Sequence, residues 1–139
     1  MEVGSDEEGG VALTVFLAKV IGIVLAMTGA AILIRKRYFL AVFGAYVEQR
    51  LLRTTMSMIE LLAGVALVVG HNLWSPLPAA IITVIGWMAV LEAMVYLFLP
   101  DRWVSIVITT LNTSACYVFA GTLAIVVGIY LAGFGFAWW

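Results

Sequence analysis

The sequence predicts an all-α membrane protein: four transmembrane helices, both termini outside, and two interfacial amphipathic segments on the cytoplasmic side. Three observations carry this. Of 139 residues, 65% are hydrophobic and 11% charged, with a mean hydropathy of +1.16. A soluble domain is about a quarter charged, so this chain cannot cover a water-facing surface. The apolar residues fall into four runs of membrane-crossing length, at about 11–34, 54–73, 77–99 and 114–136. Five of the seven basic residues, Arg35, Lys36, Arg37, Arg50 and Arg53, crowd the connection between the first two runs.

Residues 1–10 (MEVGSDEEGG) hold four of the eight acids and three glycines, which predicts a disordered acidic tail before a single four-helix domain over 11–139. The tail lacks the basic region of a secretory signal, so the first apolar run is read as a retained span. In that span Gly22, Ala26, Gly29 and Ala30 form a small-residue face of the kind that lets two helix backbones approach closely in lipid. Lys19 sits inside it, with a stem long enough to carry the ammonium to the interface.

Residues 35–53 (RKRYFLAVFGAYVEQRLLR) are too charged at both ends to span. Phe39, Val42, Phe43, Tyr46 and Val47 recur every three to four residues, the pattern of an amphipathic helix lying in the interface with its arginines toward headgroups. A basic, aromatic stretch also suits nucleic acid, but on so apolar a chain the lipid bilayer is the partner and nucleic acid is not.

Spans two and three flank the turn HNLWSPLP, which Pro76 and Pro78 punctuate. The stretch from Trp103 to Phe136 has 34 residues, about 51 Å of helix against a hydrocarbon core of ~30 Å. It must break, and the polar cluster Thr109, Thr110, Asn112, Thr113 and Ser114 predicts where: an interfacial segment over 103–113, then span four. Trp74, Trp103, Trp138 and Trp139 are the expected aromatic anchors, with Arg102 beside Trp103.

Basic residues set the orientation. The first connection holds five and the third holds Arg102, while the HNLWSPLP turn holds none, so both interfacial segments face the cytoplasm. A weak internal repeat accompanies this topology. VIGIVLAMTGAAIL (20–33) aligns without gaps on VIGWMAVLEAMVYL (84–97), and ELLAGVALVV resembles FAGTLAIVV, as in a parallel duplication of span, interfacial segment and span.

The chemistry-bearing residues are few. Glu60 lies sixteen residues before Pro76 and Glu92 sixteen after it, so in an antiparallel hairpin their carboxyl groups sit at one depth. An ionisable residue in a span is costly and turns toward the bundle or a wet cavity. Such a pair can share a proton, bind a cation, or hydrogen-bond to neighbouring helices. The structural alternative has them reaching interfacial water or pairing with Arg53 or Arg102. His71 is the only histidine, which excludes a haem held by two imidazoles of one chain. Its plainer role is to cap the end of span two together with Asn72. The single Cys116 excludes an intrachain disulfide and a cysteine metal cluster. The sequence carries no nucleotide-binding glycine loop and no nucleophile–base arrangement, and it implies no enzyme and no cofactor.

The run GHNLWSPLPAAIITVIGWMAVLEAMVYLFLPDRW resembles small four-helix bacterial inner-membrane proteins with a His-Asn-x-Trp turn before an Ile-Gly-Trp helix. That resemblance implies a multi-pass protein of the inner membrane and brings no activity with it. A weaker similarity is to DoxX-like four-helix proteins, in which a glutamate of the second span precedes spaced glycines, as Glu60 precedes Gly64 and Gly70. Multidrug-exporter and fluoride-channel four-helix proteins do not match. Three functional readings follow. The first is a structural or accessory membrane subunit, in a homo-oligomer or larger complex. The second is an oligomeric transporter or channel using Glu60 and Glu92 as proton or cation sites. The third is a quinone- or haem-associated redox subunit leaning on His71, Trp74 and Trp87.

Overall fold

A computed structural model describes residues 3–137, without the side chains of residues 3–7 and 47. Among the described residues there are six helices and no strands: α1 Val3–Ile34, α2 Lys36–Glu48, α3 Arg50–Gly70, α4 Leu77–Phe98, α5 Asp101–Leu111 and α6 Ser114–Gly135. Four of them, α1, α3, α4 and α6, are long and apolar enough to cross a membrane. The other two have 13 and 11 residues, about 20 and 17 Å of helix, short of the hydrocarbon core.

The boundaries have local causes. α1 begins at Val3 rather than near Val11, so residues 3–10 are helical where a disordered tail is expected. Arg50 and Arg53 belong to the first turn of α3 rather than to an interfacial segment running to residue 53, because the chain breaks at Gln49. The second short helix starts at Asp101, two residues before Trp103. Pro100 ends α4, and Leu99 before it is extended (φ −75°, ψ 140°), as a residue preceding proline must be. At the next break Thr113 caps α6 by accepting a hydrogen bond from the Cys116 N–H. Trp138 and Trp139, the expected terminal anchor, lie outside the described residues.

The helices pack as two antiparallel pairs, α1 with α6 and α3 with α4, joined mainly through α1 and α4. Glycine sets the first pair. A Cβ on Gly22 would lie 2.5 Å from the Ala132 nitrogen, and one on Gly128 would lie 2.5 Å from the Ala26 nitrogen, so the backbones touch there. Gly29 and Gly121 repeat the contact one to two turns further on. In the second pair Gly64 meets Ala89 and Val90, and Gly86 meets Leu67 and Val68. Ala18, Ile82 and Leu131 form the buried core where the pairs meet, close to the 71–76 connection. We call this the turn end, and the end bearing α2 and α5 the basic end. Only 17–22% of each span is buried inside the chain, so most of its apolar surface needs lipid.

At the basic end Arg53, its side chain 6% exposed, ion-pairs with Asp101, as does the exposed Arg50. The start of α3 is thereby tied to the start of α5. The Arg50 guanidinium, then that of Arg53, holds the Asp101 carboxyl below its ordinary 3.8. A carboxyl whose folded pKa is depressed stabilises the fold fully above its unfolded value, and that stabilisation is lost as pH falls through the folded value. Thermal unfolding in detergent should therefore show a midpoint that falls as the pH drops below about 4. Asp101→Asn should lower the midpoint at pH 7 and flatten this acid limb. An unchanged acid limb in Asp101→Asn would show that the pair contributes nothing.

Candidate functional site

The α3–α4 hairpin brings the two intramembrane glutamates together. The close approach at Gly64 fixes the register, and Glu60 from α3 and Glu92 from α4 line one cleft of about 200 Å³. Tyr96, one turn beyond Glu92, donates its hydroxyl to Glu92 Oε1 at 3.2 Å. α2 supplies the remaining wall through Val42, Phe43 and Tyr46. Burial pushes the Tyr46 phenol above its ordinary value, with the Glu60 and Glu92 charges adding to the shift, so it faces the cleft as a neutral hydroxyl. Of the apolar face expected on α2, Phe39 and Tyr46 are half-buried and Val42 and Phe43 line the cleft. The Val47 side chain lies outside the described residues.

Phe43, Glu92 and Tyr96 also line a second, larger cavity of about 590 Å³. It lies between α4 and α6 at the basic end and is bounded by α2 and α5. Tyr117 of α6 meets Phe43 edge-on, with ring centroids 5.9 Å apart. Cys116 and Asn112 complete the polar part of the wall. Asn112 donates Nδ2 to the Leu40 carbonyl at 3.4 Å, while its Oδ1 is buried without a partner.

The other predicted residues lie elsewhere. His71 is at the turn end, 2% exposed. Its backbone N–H caps α3 by donating to the Leu67 carbonyl at 2.8 Å. Its Nε2 is 2.9 Å from Thr14 Oγ1, which donates its own proton to the Gly10 carbonyl at 2.8 Å. A hydroxyl that has given its proton away can only accept, so Nε2 carries the imidazole proton. Burial lowers the pKa of this imidazole below 6.5. Asn72 beside it is exposed. Arg35 stacks over the Tyr38 ring at 4.5 Å. Lys36, Arg37, Arg102, Trp74 and Trp103 are exposed, as anchors require. Lys19 runs its stem along Gly135 and sets its ammonium over the Phe136 ring at 5.1 Å, near the C-terminal end of α6.

Sequence reading gave no role to Asp101, which takes up Arg53, and placed neither Cys116 nor Tyr117 in a site. Asp101 carries a signal in retrospect: an acid directly after a proline marks a helix start, opposite a basic pair in need of a partner. Compared with known proteins, the chain matches no family model, no curated protein and no solved structure.

Proposed function

We propose that this small multi-pass membrane protein is a carrier that handles a proton or monovalent cation on Glu60 and Glu92 while a small molecule occupies the neighbouring cavity. One observation carries the reading: Glu92 and Tyr96 line both the acid cleft and the 590 Å³ cavity, so a charge on the glutamate would be felt by whatever occupies the cavity. In our reading α2 and α5 lie in the cytoplasmic interface of an inner membrane, and both termini are outside. The crowding of arginines and lysine around α2 supports that orientation. The helix pairing supports an internal duplication, since Gly22 and Gly86, equivalent in the repeat, each sit at the close approach of a pair. Gly64 and Gly121 are equivalent in the same way. The reading involves no bond-making chemistry and no cofactor.

The accessory-subunit reading leans on small-residue faces free to meet a partner. Gly22 and Gly29 of α1 face Gly121, Gly128 and Ala132 of α6 inside this chain, so those faces are spent. Its remaining support is the outward apolar surface of the bundle.

The test is reconstitution in vesicles under an imposed pH or cation gradient. Wild-type protein should carry flux, and Glu60→Gln and Glu92→Gln should each lower it at least tenfold while eluting as wild type on size exclusion. Equal flux in all three would overturn the reading. Purification with a stoichiometric larger partner, and no flux, would move the assignment to an accessory subunit.

A further inference from the structure

The polar inventory of the larger cavity is one-sided. Among the described residues lining it there is no Lys, Arg or His. The charge-bearing group is the Glu92 carboxylate, an acceptor, and only its Oε1 receives the Tyr96 proton. The Asn112 amide lines the same wall but offers the cavity no acceptor, since its Oδ1 is buried in the protein. The rest of the wall is aromatic and aliphatic, with Phe43, Tyr96, Tyr117 and Phe119 among its residues. A volume of about 590 Å³ lies in the range that holds drug-sized molecules, ~300–1,000 Å³.

Each ligand class meets this inventory differently. An anion finds no countercharge and faces a carboxylate. A wholly apolar molecule leaves the carboxylate dry, and a buried polar group without a partner costs free energy. A cation lacking N–H groups answers the charge but makes no charge-assisted hydrogen bond to the carboxylate. A protonated amine on an apolar body answers all of it: N–H donors and a positive charge for the Glu92 carboxylate, a cation for the aromatic faces, and a hydrophobic remainder for the wall.

We infer that the cavity between α4 and α6 binds an organic ammonium carried on an apolar body, with the Glu92 carboxylate accepting its N–H groups. This names the molecule class for the carrier reading and rests on it for any role in transport. The ammonium can belong to a free hydrophobic amine or to the headgroup of an aminophospholipid.

The probe is dansylcadaverine, a primary amine on an aromatic body, set against its N-acetyl derivative, which keeps the body and loses the charge. Binding to the full chain in dodecyl maltoside is read by dansyl fluorescence. It is read independently by protection of Cys116, the only cysteine, from N-ethylmaleimide. The amine should bind saturably and protect Cys116, with the acetylated probe at least tenfold weaker. Glu92→Gln should weaken the amine at least tenfold and leave the acetylated probe unchanged. In nanodiscs, displacement of the amine on replacing phosphatidylcholine with phosphatidylethanolamine assigns the site to a headgroup ammonium, and no displacement assigns it to a free amine. Equal binding of the two probes to wild-type protein overturns the inference, and that comparison needs no variant to fold. Discrimination without flux keeps the ammonium site and overturns the carrier. Flux without discrimination does the reverse.

Discussion

Gly22→Val and Gly128→Val are each expected to destabilise the protein by about 3 kcal/mol, at the top of the overpacking range, and to separate α1 from α6. The reason is what the new side chain meets. At Gly22 a Cβ would stand 2.5 Å from the Ala132 nitrogen and 2.8 Å from the Gly128 oxygen. At Gly128 it would stand 2.5 Å from the Ala26 nitrogen and 2.7 Å from the Gly22 oxygen. These are backbone atoms, which cannot rotate aside as the end of a side chain can, so the helices must move apart along their whole contact. In lipid there is no hydrophobic force to push them back, because separated helices lose only packing and close polar contacts. Gly44 is the internal control. A Cβ there meets nothing within 4 Å, so Gly44→Ala removes a weak helix former and should stabilise by about 0.5–1 kcal/mol. Unfolding titrations in mixed micelles separate the cases. Wild-type stability in Gly22→Val would mean that α1 and α6 do not touch at this point.

The same glycines show how far the sequence reaches. The four spans, the helical class and a small-residue face on α1 follow from composition and spacing, because lipid imposes a length and an apolarity that few other environments demand. Which helix that face meets does not follow. Gly22 packs against residue 132, more than a hundred positions away, and the face fits a second subunit equally well until α6 is seen to fill it. The matched depth of Glu60 and Glu92 was legible from their symmetric spacing around Pro76, since a hairpin turns equal spacing into equal depth. The cavity beside them was not, because it depends on how α2 and α5 fold back against α4 and α6. Asn112 illustrates the difference. From the sequence it is one polar residue in a cluster that breaks a helix, and only the packing of α5 on α2 leaves its Oδ1 buried and unpaired.

His71→Ala is expected to cost about 2–4 kcal/mol, the range for emptying a well-filled core site, and to remove a pH dependence that the wild type should show. His71 is among the largest fully buried side chains and joins three segments at the turn end. Nε2 donates to Thr14 on α1. The neighbouring Thr83 on α4 donates to the Leu73 carbonyl at 2.7 Å and accepts from the Leu73 N–H at 3.1 Å, pinning the chain just after His71. Alanine keeps the backbone cap on α3 but leaves a void and strands Thr14 without its donor. Burial holds the imidazole pKa below 6.5. With a depressed folded pKa, the stability its neutral form contributes is fully present above 6.5 and is lost as pH falls through the lower folded value. Wild-type stability should therefore fall as the pH drops below about 6.5, with no such step in His71→Ala. This acid step is separable from that of Asp101, which begins only below about pH 4. A step that persists in His71→Ala would assign it to another group and leave His71 a packing residue alone.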